Sequence, residues 1–77
     1  EIQGVIDLAV MGSGEIWLVD FKTDAVSGAA LRERAEAYWA QLALYAHALT
    51  AIHGRPVTRR WLYFLSAREW VEMGGAF

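Results

Sequence analysis

Asp7, Asp20 and Lys22 are the residues of this chain best suited to chemistry. They sit in Gly-Val-Ile-Asp (4–7) and Leu-Val-Asp-Phe-Lys-Thr-Asp (18–24), two apolar stretches joined by a glycine-containing turn. Two carboxylates close together repel unless a cation lies between them. A hard divalent ion such as Mg²⁺ accepts one or two carboxylates, keeps several waters and takes a phosphate oxygen. Such an ion acidifies water and stabilises the charge that builds on phosphorus. A nearby ammonium can position that water or offset the same charge. The three residue types together suit hydrolysis of a phosphodiester.

Spacing decides whether they can meet. Asp20 and Lys22 are two apart on a predicted strand, so their side chains share a face, about 7 Å apart. Asp7 joins them by parity. A two-residue turn at Gly12-Ser13 sets it diagonal to Asp20, and a four-residue loop sets it directly opposite. A slip of one residue would send it to the other face. The bland alternative stays open at this point: Asp20 and Lys22 as an ion pair along a strand, and Asp7 as a solvated edge residue. The apolar surroundings favour the chemical reading, because an unpaired charge there costs several kcal/mol.

The elements that would position these residues follow from the hydrophobic pattern. Gln3–Val10 reads as a strand, Met11–Gly14 as a hairpin loop and Glu15–Lys22 as a second strand. The second strand is apolar on both faces, as expected of one covered on both sides. Ser27 or the Gly28 region precedes a helix start. From about Ala30 to His53 the period changes, with Leu31, Ala35, Tyr38, Leu42, Tyr45, Leu49 and Ile52 forming one stripe. Gly54 and Pro56 end that helix. Arg59–Leu65 and Trp70–Met73 complete the strands. The expected order is β-β-α-β-β: an α/β fold with a mixed sheet and one long helix.

Gln41 and Tyr45 are four apart on that helix and so are neighbours. Tyr45 lies in the stripe and Gln41 at its edge, from where an amide can reach a ligand phosphate or base. The plainer reading is that Gln41 is a boundary residue and Tyr45 ordinary core. Tyr38, Trp39, Trp61 and Tyr63 are expected in the core rather than as base-stacking platforms. His47 and His53 do not share a face and are expected at the surface. Asp24 is placed to cap the loop or to pair with Lys22 or an arginine. Arg32 and Arg34 sit unfavourably for the helix dipole, which makes a phosphate contact thinkable and a solvated face the plainer expectation.

Composition narrows the class. The chain has 77 residues, enough for one small domain, and 56% of them are hydrophobic, with four Trp, three Tyr and three Phe. That exceeds the usual ~45–50% and implies exposed apolar surface if the chain stood alone. Glu1-Ile2-Gln3-Gly4 reads as mid-strand with no initiator Met, so a piece of a larger protein or one member of an oligomer is expected. There is no cysteine, hence no disulfide or thiolate site within these residues. No apolar run is long enough to span a membrane. The net charge of −2 lacks the basic excess usual for a nucleic-acid surface, leaving metal and local arginines to hold such a ligand.

Taken jointly, GVIDLAV, LVDFKTD, YWAQLALYAHAL and LYFL resemble the RecB-like nuclease module of the PD-(D/E)XK superfamily, as found at the C-terminus of AddA- and RecB-type helicase–nucleases or in RecB-family exonucleases. The resemblance covers nearly the whole chain. It implies a partial restriction-endonuclease-like core over residues 1–77 that lacks the family's first helix and strand. It implies Asp7 and Asp20 as metal ligands, the Phe21 carbonyl as a further ligand, Lys22 as catalytic, and Gln41 and Tyr45 as substrate-binding residues. Phe21 stands where Tyr is commoner, which is harmless if only its carbonyl coordinates. The implied activity is Mg²⁺-dependent (Mn²⁺ as a substitute) hydrolysis of DNA, of exonuclease type. The setting would be cytoplasmic repair or recombination beside a fused or partner helicase. The missing helix carries a further His or Glu ligand in the family, so the fragment alone is expected to be weak or inactive. Two rival expectations remain: a decayed nuclease domain kept for DNA binding or scaffolding, and a small structural domain whose charges are incidental.

Overall fold

A computed structural model of the chain describes the backbone of residues 8–11 and residues 14–74 in full. The elements run β1 (Leu8–Met11), β2 (Ile16–Lys22), α1 (Gly28–Ala37), α2 (Trp39–His53), β3 (Val57–Phe64) and β4 (Glu69–Glu72). The four strands form one mixed sheet in the order β1-β2-β3-β4. β1 is antiparallel to β2, β2 parallel to β3, and β3 antiparallel to β4. A parallel pair needs a long crossover, which α1 and α2 provide. This is the expected α/β fold.

The β1–β2 register pairs Leu8 with Val19 and Met11 with Ile16. Four residues therefore separate the paired ends, as in the four-residue loop considered above. Asp7 lies outside the described residues. The β2–β3 register sets Asp20 beside Leu62 and Lys22 beside Phe64. A backbone bond from Leu65 N–H to the Lys22 carbonyl (2.9 Å) extends that pairing past the end of β2.

Both helices pack on one face of the sheet. Ile16, Leu18, Leu62 and Phe64 meet Leu31, Ala35, Leu42 and Leu49 there, joined by Met73, all buried. In α2 the core-facing positions are Leu42, Ala46 and Leu49. Ile52, expected on the same stripe, is exposed in the last turn. Gly54 ends the helix in the left-handed region (φ 66°), with its N–H donating to the Thr50 carbonyl at 2.8 Å. Glycine adopts that conformation without a Cβ clash.

The helical stretch expected as one long helix is divided at Tyr38, which closes α1 and opens α2. Tyr38 has φ −89° and ψ −1°, the bridge region between helix and turn. Its N–H donates to the Ala35 carbonyl at 3.0 Å, three residues back, while its own carbonyl accepts from Leu42 N–H at 3.1 Å. That tighter turn swings the Tyr38 ring toward the end of β2. The sequence pattern hides the break because spacings of three and four run straight through it.

Candidate active site

Strand alternation is the first thing that builds the site. Residues 16, 18, 20 and 22 of β2 turn under the helices, so Asp20 and Lys22 continue a row begun by Ile16 and Leu18. Asp20 is 1% exposed and Lys22 3%. Charges so buried persist only when paired and hydrogen-bonded. Lys22 Nζ lies 3.0 Å from Asp20 Oδ2. It also donates to Gln41 Oε1, again at 3.0 Å. The third side of the ammonium faces the Tyr38 ring, 3.9 Å from its centroid, well inside the ~6 Å reach of a cation–π contact.

A second ring of contacts holds this group from the loop after β2. Tyr38 O–H lies 3.0 and 3.1 Å from the two Asp24 carboxylate oxygens, to which it donates. Arg34 donates to Asp24 Oδ2 and forms an ion pair with it. Arg34 and Tyr38 are four apart, so they present together on one side of the helical stretch. Burial pushes the Asp24 carboxyl up, but the hydrogen bonds from Arg34 and Tyr38 outweigh it and hold the group below the usual carboxylate range. Burial and the Asp24 carboxylate together push the Tyr38 phenol up.

Asp20 and Lys22 share a face, as their spacing predicted, and Gln41 meets them from α2. Tyr45 lies one turn beyond Gln41 and packs, half-buried, against the core. The Phe21 side chain turns to the opposite face of the sheet, where its ring meets Tyr63 edge-on at 6.0 Å. Among the described residues no three His, Cys, Asp or Glu side chains converge to hold an ion. A metal here would rest on Asp20 with backbone, water or phosphate oxygens and donors beyond that set. Such a hard, carboxylate-poor arrangement fits a hard divalent ion that binds through one or two carboxylates and retains water.

The opposite face of the sheet has another character. Trp17 and Phe21 are each 37% exposed, and Trp70 more so. Trp61 bridges Trp17 (5.6 Å) and Trp70 (6.5 Å), and Tyr63 lies 4.6 Å from Trp70. Arg59 lies over Trp61 at 4.5 Å and pairs with Glu72 at 2.9 Å. On this face of β2 Val19 is buried, at 4% exposure, while Trp17 and Phe21 on either side of it are not. Full coverage of both faces, expected from the composition, is not found among the described residues, because both helices lie on the other side.

Comparison with known proteins gives the family of the chain. A profile of the PD-(D/E)XK nuclease superfamily matches residues 1–74. This chain belongs to that superfamily. It is similar to ATP-dependent helicase/nuclease subunits from Carboxydothermus hydrogenoformans (40% identical over 72 residues, 94% of this chain), Limosilactobacillus fermentum (42% over 78, 94%) and Listeria welshimeri (38% over 74, 88%). The chain spans 6% of the length of each of these relatives. No solved structure matches with statistical significance.

Within this PD-(D/E)XK chain, Arg34, expected on a solvated face or at a phosphate, instead pairs with Asp24. Tyr38 packs against the core, as expected, and its ring also meets Lys22. A signal was available: Tyr38 precedes Gln41 by three, so both belong to one side of a helix. Asp24 was expected to pair with an arginine or Lys22, and the arginine is Arg34. The two histidines are exposed, as expected.

Proposed function

We propose that this chain is the catalytic core segment of a Mg²⁺-dependent deoxyribonuclease that acts exonucleolytically in DNA repair or recombination, within a larger helicase–nuclease. The observation that carries this reading is the buried Asp20–Lys22–Gln41 cluster. An ion pair inside an apolar core is seldom kept for stability, since well-packed hydrophobic residues often do as well or better. Superfamily membership and the helicase/nuclease names of the relatives support the same reading.

In the proposed reaction a water oxygen bonds to phosphorus as a bridging P–O bond breaks. The water gives up a proton, and the leaving oxygen takes one up. Asp20, the Phe21 carbonyl and Asp7 are the groups that would hold a divalent ion, which when bound supplies charge stabilisation and a more acidic water. Lys22 would assist the attacking water and offset the negative charge that builds on the phosphate. Gln41 fixes one side of that ammonium through its amide oxygen and contacts the substrate from the helix. Tyr45 shapes the wall of the site and contacts DNA. The surrounding core excludes water, which strengthens each of these interactions.

Cleavage of linear DNA with Mg²⁺ or Mn²⁺, comparing the intact protein with Asp20→Asn, tests the proposal. Asn keeps the shape of the site and removes its charge. We expect cleavage by the wild type and none by the variant. Equal cleavage by both overturns the site assignment. A wild type that binds DNA without cutting it points to a decayed, DNA-binding nuclease domain instead.

A further inference from the structure

We propose that Tyr38 is a positioning residue for Lys22, and that Asp24 and Arg34 lock its ring in place. The proposal rests on the nuclease reading above and adds a residue to it. A lysine ammonium sits on a flexible four-carbon stem with three donors. Left alone it would sample several rotamers, and a catalytic charge displaced by about 1 Å can lose about 100-fold in rate. Here two of its sides are held by Asp20 Oδ2 and Gln41 Oε1, each at 3.0 Å. Both are needed elsewhere in the proposed chemistry, Asp20 for metal and Gln41 for substrate. The Tyr38 ring, 3.9 Å away, is the one contact of the three that neither metal nor substrate would take from Lys22.

The ring is itself held. Its hydroxyl donates to Asp24, two residues beyond Lys22, and Arg34 grips the same carboxylate from α1. The loop after β2 is thereby tied to the helix junction. The break between α1 and α2 falls at this same residue: the tightened turn over residues 35–38 ends at Tyr38, whose ring meets the ammonium. Face contact with a desolvated cation is worth enough to shift a conformational preference by about tenfold.

The test uses the intact protein with Asp20→Asn, Tyr38→Leu and Tyr38→Phe, measuring Mg²⁺-dependent cleavage of linear DNA and thermal melting. Tyr38→Leu is expected to lower kcat about 10-fold with KM for DNA within about twofold of wild type. Tyr38→Phe, which keeps the ring but loses its bond to Asp24, is expected to fall between the wild type and Tyr38→Leu. Should Tyr38→Leu fail to fold, a series of ring-fluorinated phenylalanines at position 38 keeps the shape while draining the ring's negative face, and kcat should fall with each added fluorine. Wild-type kcat in folded Tyr38→Leu, a loss in Tyr38→Phe as large as in Tyr38→Leu, or a flat fluorine series overturns the proposal. If Asp20→Asn abolishes cleavage while the Tyr38 variants do not alter it, the positioning role alone falls. If the wild type does not cleave, the nuclease reading falls and takes this role with it.

Discussion

On strand β2 the side chains of Asp20 and Lys22 turn inward beneath two helices, while Trp17 and Phe21 turn outward and stay more than a third exposed. In most half-buried strands the apolar residues face the core and the polar ones face water. The inward face here mixes a carboxylate and an ammonium into a row of Ile16 and Leu18, and both charges have partners. The outward face stacks aromatic edges against faces with no buried ion among the described residues. The inward face therefore carries a cost that packing alone does not require, whereas the outward face is ordinary apolar area lacking a covering layer among the described residues. The proposed chemistry would account for the first, and shape for the second.

The largest expected effect that would break this contrast concerns the buried pair. Lys22→Met should destabilise the chain by about 3–5 kcal/mol, because it strands a buried carboxylate. The double change Asp20→Leu with Lys22→Met should be more stable than the Lys22→Met single, although inactive. Urea unfolding of the single and double variants reads both. A double variant as unstable as the single would mean that the pair is structural after all.

A smaller effect compares the two faces position by position. Leu62→Ala, beneath the helices, should cost about 2–5 kcal/mol as a core cavity. Trp17→Ala, on the open face, should cost roughly 1 kcal/mol, the scale of one aromatic pair. Equal losses in denaturant midpoints, at unchanged slope, would show that the outward face is as tightly packed as the core.

The smallest effect is the acid response of the clamp. The folded-state pKa of Asp24 is depressed, so its contribution to stability is complete above the ordinary carboxylate pKa and fades as the pH falls through the folded value. Asp24→Asn should lower stability at neutral pH and flatten the acid limb of the stability profile. Melting temperatures across the acid range, wild type against variant, would reveal parallel curves if the carboxylate is uninvolved.

How much of this was legible beforehand differs by element. Asp20 and Lys22 could be assigned to one face from their spacing alone. Gln41 could be placed at the edge of a helical stripe, though not on Lys22 itself. Tyr38 gave an incomplete signal, because an aromatic in an apolar stripe has the same period whether it packs on leucine or on an ammonium. The helix break was equally hidden, since neither glycine nor proline marks it. The outward aromatics were read as covered, because alternation reveals which residues share a face and not what lies over it.

The sequence by itself determined which residues of β2 share a face, the order of the strands around one helical stretch and the stop at Gly54, all of which rest on local sterics and short periods. Only the tertiary structure decided which groups surround the Lys22 ammonium. Gln41 is 19 residues away in the chain, and its arrival depends on the parallel β2–β3 register, the angle of α2 across the sheet and the turn at Tyr38. Those are set by packing among distant residues, where about one ångström separates an ion pair from an empty contact.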